Sequence, residues 1–411
     1  MTPSLQRRLG TADAVFIGLG SMIGAGIFVA LGPAAAAAGS GLLVGLAVAA
    51  LVAYCNATSS ARLAARYPES GGTYVYGRER LGAFWGYLAG WNFVVGKTAS
   101  CAAMALTVGL YLWPAGAHAI AVVAVLALTA VNLRGIQKSA LLSRVIVAVV
   151  LAALTAVVVA VAFSDRADPT RVTLTGGTAT GVLQAAGLLF FAFAGYARIA
   201  TLGEEVRDPA RIIPRAVRMS LAITLAVYAT VAVAALACVG PDGLASAPAP
   251  LTEVVLASGR TGLGPVVQAG AVAAALGSLL SLILGVSRTT LSMARDGYLP
   301  ATLAAVHPRS GVPQHAELAV GVVVAAVAAV ADIRGAIGFS SFAVLLYYGI
   351  ANASAWTLED GVRPRLIPVA GLAGCLLLAF TLPHGSVAAG LTVVAIGAAV
   401  YGITRKVQRA R

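Results

Sequence analysis

Charge is what this sequence has least of. Of its 411 residues only 10% are Asp, Glu, Lys or Arg, where a soluble domain carries about 25%. Too few polar side chains remain to cover a water-facing surface, which excludes an ordinary soluble globular protein. Acid is scarcer than base, 15 residues against 28, leaving a net charge of +13. The four histidines, His118, His307, His315 and His384, stand far apart with no metal spacing. The four cysteines, Cys55, Cys101, Cys238 and Cys375, all lie inside apolar runs and read as small packing residues rather than a disulfide framework. No nucleophile–base constellation is visible, and no GxxxxGK[ST] phosphate loop occurs. The chain therefore does not read as an enzyme or an ATPase, and neither a cofactor nor a metal is expected. No soluble domain and no low-complexity tail interrupt it.

What is present is apolar sequence in long runs. Hydrophobic residues make up 59% of the chain, in stretches of about 20 residues that suit membrane helices rather than short alternating strands. About twelve spans are predicted, at 12–37, 41–65, 82–112, 117–133, 140–163, 181–203, 216–239, 264–292, 315–331, 335–357, 366–382 and 386–404. With the N-terminus inside, only Arg166, Arg171, Arg260 and Arg334 fall in outer loops and Lys97 falls within span three. Every other basic residue lies on the cytoplasmic side, which fixes an even number of spans with both termini in the cytoplasm. The same placement argues against nucleic acid as a partner, because the positive charge is a product of membrane topology. Arg7 and Arg8 precede an apolar run, yet cleaving it as a signal peptide would remove the most specific motif of the chain. The segment therefore reads as the first span.

That motif is a string of glycines, Gly18-Leu19-Gly20-Ser21-Met22-Ile23-Gly24-Ala25-Gly26-Ile27-Phe28. A second interruption, Phe190-Phe191-Ala192-Phe193-Ala194-Gly195-Tyr196, opens the second half and ends at Gly203-Glu204-Glu205. Glycine-interrupted spans at corresponding places in two halves point to a transporter's binding site. A break exposes amides and carbonyls at mid-membrane depth, where protein or a polar cavity must satisfy them. Spans one to five (12–163) and six to ten (181–357) then form two halves. Their odd span number inverts the second half, and spans eleven and twelve (366–404) are additional. The whole chain, 1–411, is one transmembrane domain. The amides of Ala25, Gly26 and Ile27, freed beside Gly24 at the start of an outer half-helix, are candidates to hold a carboxylate. The carbonyls of Ile23, Phe191 and Ala194 are candidates to meet an ammonium, with Gly195 as hinge. A zwitterion fits both sets.

Three motifs, GSMIGAGIF in span one, FFAFAGYARIATLGEEVRDPARIIPRA in and after span six, and SRTTLSMARDGYLP after span eight, resemble the amino acid–polyamine–organocation transporters. The likeness is greatest to bacterial relatives of cationic amino acid transporters and covers nearly the whole chain. The resemblance implies an all-α integral membrane protein with the five-plus-five inverted-repeat (LeuT-like) fold, helices one and six discontinuous, and alternating access. It implies an α-carboxylate on the amides of Ala25 and Gly26, and an α-amine on the carbonyls of Ile23, Phe191 and Ala194. The sequence departs from the family at two places. Ala197 stands where many relatives carry an acid after the second break, which weakens a cationic substrate. Val150 stands where some proton-coupled relatives carry a lysine.

Lys97, within span three, is therefore a candidate coupling group or substrate contact, since a lysine at that depth usually faces a polar cavity. Sodium is the alternative coupling ion, with Ser278 and Ser281 as candidate ligands. Phe193 and Tyr196 are candidate gates over the substrate. Glu204 is a candidate inner gate, in a charged region that includes Glu205, Arg207, Asp208, Arg211, Arg62, Arg66, Glu69, Arg288 and Asp296. The expected function is a permease, a secondary active transporter that moves an amino acid across the cytoplasmic (inner) membrane by proton symport. The alternatives are a polyamine or amine transporter, an amino acid exchanger, or a membrane-embedded amino acid sensor.

Overall fold

In a computed structural model the described residues are 10–67, 71–135, 140–174, 177–196, 199, 206–307, 311–358 and 363–410. They fold almost entirely as helices and contain no β-strand. In hydrocarbon an intact helix is the simplest way to bond every backbone N–H and C=O within one segment. The first predicted span is two helices, α1 (Thr11–Met22) and α2 (Gly26–Ala38), with Ile23–Ala25 between them. There follow α3 (Leu42–Arg66), α4 (Thr73–Leu81), α5 (Ala83–Leu112), α6 (Ala117–Leu133), α7 (Ala140–Ala162) and α8 (Ala179–Phe193). The second half continues with α9 (Pro209–Ser246), α10 (Pro250–Ala257), α11 (Gly264–Arg295), α12 (Gln314–Val330), α13 (Ile333–Trp356), α14 (Arg363–Thr381) and α15 (His384–Ala410).

Every predicted span therefore holds helix, and nine helical segments among the described residues are long and apolar enough to cross a membrane. Thr11–Met22, Gln314–Val330 and Arg365–Thr381 are apolar but shorter. Two short helices were not expected. The first, α4, is bounded by Gly72 (φ +57°) and Gly82 (φ +102°); the second is α10. The predicted end of span seven at residue 239 coincides with a break in the helix. Gly240 takes φ +70° ahead of Pro241, and the helix resumes to Ser246. Span six passes from α-helix into a 3-10 turn at Ala194–Tyr196, and Ile199 beyond it is again helical. Residues 197–198 and 200–205, which include Ala197 and Glu204, lie outside the described residues.

The bundle is centred on α5 and α13. Their most apolar stretches are 72% and 83% buried, against 11% for α15, which places α15 at the lipid-facing rim. Tyr87, Tyr111, Tyr196, Tyr228 and Tyr348 are among the largest fully buried side chains. A buried tyrosine brings a hydroxyl that must find a partner, and three of these find theirs at or just beyond the helix breaks. All four cysteines are free thiols and all are buried.

Candidate functional site

The first break is a tight turn. Ile23 has φ −76° and ψ 67°, the geometry of an inverse γ-turn, and the Gly24 amide donates to the Met22 carbonyl at 2.7 Å. The helix ladder of α1 ends with the Ile23 amide on Leu19 (2.7 Å). A new helix starts at Gly26, so the amides of Ala25, Gly26 and Ile27 lie at the end that a helix leaves without intrahelical acceptors. The same end carries the positive pole of the peptide dipoles, about half an elementary charge. The geometry supplies what a carboxylate needs.

The second break lies directly against the first. An added Cβ at Gly195 would sit 1.9 Å from the Ser21 carbonyl oxygen and 2.8 Å from the Met22 amide nitrogen. At Gly26 it would sit 2.6 Å from the Cα of Ala192. Two backbones meet at both points with no room for a side chain. This is a stronger demand than flexibility, and it explains why glycine stands at each place. Gly24 is different, because its added Cβ would meet the Ser278 hydroxyl of α11 at 2.6 Å, a side-chain atom that can rotate away. Ser278 therefore borders the break. Ser281 does not: it is exposed, and its hydroxyl donates to Gly277 of its own helix at 3.0 Å.

The hydroxyl of Tyr228, on α9, ties the two breaks together. It donates to the Met22 carbonyl at 2.6 Å and lies 3.2 Å from the Ala192 carbonyl. The Tyr348 hydroxyl, on α13, approaches the Ala194 carbonyl at 3.4 Å. The Tyr111 hydroxyl donates to the Phe28 carbonyl at 2.7 Å, just beyond the first break. The sequence reading missed all three tyrosines. Each is a lone tyrosine or part of a pair in an apolar helix, and the only available signal was that a phenol placed there must bond something. Phe193 stands edge-on to Tyr228 (5.2 Å between ring centroids), and Tyr196 lies 4.9 Å from Tyr348. Ile23, Ala25, Ile27, Phe191, Phe193, Ala194 and Tyr196 are all buried. The arrangement is closed over itself.

Lys97 is not brought to the break. Ala25 packs with Met104 and Val108 of α5 and with Ala275 of α11. That level lies seven to eleven residues along α5 from Lys97, roughly 10–16 Å at 1.5 Å per residue. Lys97 is nevertheless buried, at 8% exposure, and no carboxylate among the described residues comes within ion-pair distance. In the charged region, Asp296 pairs with Arg78 of α4 at 3.1 Å and accepts a hydrogen bond from Tyr74. Arg78 and Tyr74 had not been singled out. Glu69, Glu204 and Glu205 lie outside the described residues. Among the described residues no three His, Cys, Asp or Glu side chains gather as a metal site requires.

The sequence matches the amino acid permease family over residues 13–400. This chain belongs to the amino acid permeases, within the amino acid–polyamine–organocation superfamily. An uncharacterized transporter of Mycobacterium tuberculosis is 71% identical over 408 residues, covering 98% of this chain and 93% of that protein. The branched-chain amino acid permease BcaP of Bacillus subtilis is 28% identical over 75% of this chain and 72% of its own length. The human cationic amino acid transporter 4 is 29% identical over 87% of this chain and 61% of its own length. Family membership and the apolar helices make this permease a multi-pass membrane protein that transports rather than transforms its substrate.

Proposed function

We propose that this permease is a secondary active transporter that carries a neutral, apolar-side-chain amino acid across the cytoplasmic membrane by alternating access, with proton symport. The observation that carries the reading is the mutual contact of the two interrupted helices, bridged by the Tyr228 hydroxyl. The α-carboxylate would sit on the amides of Ala25, Gly26 and Ile27. The α-amine would meet the carbonyls of Ile23, Phe191 and Ala194, with Gly24 and Gly195 giving the backbone room. The side chain would lie among Phe191, Phe193 and Tyr196, where no carboxylate is found among the described residues. Among the described residues a cationic side chain would find no counter-charge there. Phe193 and Tyr196 would act as the gate. Sodium coupling has less support than the sequence suggested, because the Ser281 hydroxyl is exposed and donates to Gly277 of its own helix, so that of the two serines Ser278 alone is seen against the break.

In the same reading the twelve predicted spans all cross the membrane, with both termini in the cytoplasm. The first ten form the five-plus-five inverted repeat. Substrate binding would open the contact between the breaks, and the spans of one half would rock against the other. The test is uptake of radiolabelled amino acids by purified protein in liposomes, preceded by a thermal-stability screen. A ligand at 100 times its Kd stabilises the folded state by about 2.7 kcal/mol. Neutral amino acids should raise the melting temperature, and their methyl esters should not. A ligand that stabilises the protein yet is never moved across the bilayer would point to a sensor and end the transport reading.

A further inference from the structure

One ionisable side chain inside the bundle plays no part in the site above. Glu317 lies in the first turn of α12 and is fully buried. Neither carboxyl oxygen receives a hydrogen bond among the described residues. Ser287 of α11 and Asn132 of α6 are its polar neighbours, each with a donor already engaged, although the Asn132 amide keeps a second N–H. The single hydroxyl proton of Ser287 goes to the Ile283 carbonyl at 2.8 Å, and the Asn132 amide donates to the Leu280 carbonyl at 3.2 Å. Thr129, where an added Cβ on Gly321 would press at 2.5 Å, gives its proton to the Val125 carbonyl.

What the neighbours have left is mostly acceptor capacity, the hydroxyl lone pairs of Ser287 and the amide oxygen of Asn132, beside a single spare N–H on Asn132. A dry pocket with acceptors to receive a proton and at most one donor suits a carboxylic acid better than a carboxylate, which needs several donors. The first-turn position works the other way, because a helix N-terminus favours negative charge. That attraction offsets only part of the cost of a dehydrated, unbonded carboxylate.

We infer that Glu317 is the proton-carrying group of this permease, holding its proton in the closed arrangement and releasing it when the surrounding helix ends open to water. This rests on the transport reading. The charged and titratable groups facing it are few. From α5, Lys97 and Cys101 stand one turn apart, and Cys101 is within electrostatic reach of both Lys97 and Glu317. From α11, Arg288 reaches it from an exposed position. At the end of α6 the exposed Arg134 stands two residues beyond Asn132, and the turn at Ala301–Ala304 presents no ionisable side chain among the described residues. On α12 itself, His315 is turned away and bonds the Thr302 carbonyl. Arg288 is placed to attract the carboxylate once it forms, so that loading and release alternate between two local charge states.

The experiment compares wild type, Glu317→Gln and Glu317→Asp in liposomes. With an inward proton gradient, wild type and Glu317→Asp should accumulate amino acid and acidify the lumen, as read by a trapped pH dye. Glu317→Gln should still exchange amino acid across the membrane but neither accumulate it nor move protons. Accumulation by Glu317→Gln at the wild-type level would overturn the assignment. Infrared difference spectra of the purified protein give a readout that needs no transport. A protonated-carboxyl carbonyl band at neutral pH should be present in wild type and missing in Glu317→Gln, and its absence from wild type would equally overturn the inference. Wild type that exchanges no amino acid at all would sink the transport reading, and the infrared band would still decide whether Glu317 holds a proton.

Discussion

A single phenol hydroxyl closes the gap between two helices that the sequence leaves open. Removing it in Tyr228→Phe leaves the Met22 carbonyl with only the Gly24 amide and takes away the phenol oxygen that lies 3.2 Å from the Ala192 carbonyl. Losing one such buried bond costs about 1–3 kcal/mol. We expect Tyr228→Phe to fold, to melt a few degrees lower and to lose more uptake than stability, as measured by thermal denaturation and liposome transport side by side. Unchanged uptake would detach the hydroxyl from the transport cycle. Gly195→Ala should be far worse, because its methyl group would meet the Ser21 carbonyl at 1.9 Å; no correctly folded protein should be recovered from membranes. The glycines were legible in the sequence because an interrupted apolar run is unusual. Tyr228 and Glu317 were not. A lone tyrosine in an apolar run has no pattern, and an acid beside Pro313 and His315 reads like the end of a loop until packing buries it.

At the scale of the helix, the spacing between α2 and α8 is the quantity to perturb. Gly24 and Gly26 look equivalent in the sequence, two residues apart in one motif. The structure separates them, since an added methyl meets a rotatable serine hydroxyl in the first case and the backbone of α8 in the second. Overpacking against backbone costs about 1–3 kcal/mol or more. Gly26→Ala should therefore depress both thermal stability and uptake. Gly24→Ala should keep stability, and Gly24→Ala with Ser278→Ala should recover whatever uptake the single change loses. Equal damage from both single changes would refute the distinction. Span positions were legible because hydropathy alone marks them. The passage of α8 into a 3-10 turn after Phe193 was not, because the residues there remain apolar. The short α4 was hidden for the opposite reason, since tyrosines and arginines mask its helical run.

Across the whole molecule, Asp296 at the end of α11 is held by Arg78 and Tyr74 of α4. Burial, and then hydrogen bonding to Asp296, push the Tyr74 hydroxyl above its ordinary range. The phenol therefore stays protonated and able to donate at any physiological pH. The ion pair itself is about one-third exposed on both sides, and such pairs contribute about 0–1 kcal/mol. Asp296→Asn should thus shift melting by little while altering transport rate if this clasp must part in each cycle. An unaltered rate would make it a static surface contact. Tags on either terminus should be reached by impermeant reagents only from the cytoplasmic side, which tests the orientation read from the basic loops.

The buried state of every native thiol has a practical consequence. A maleimide label directed to one introduced cysteine on an outer loop needs no cysteine-free background, because the resident sulfhydryls are shielded while the bundle is shut. Cys101 would then serve as a built-in reporter, since adduct formation there during turnover would record the moments at which α5 and α12 part.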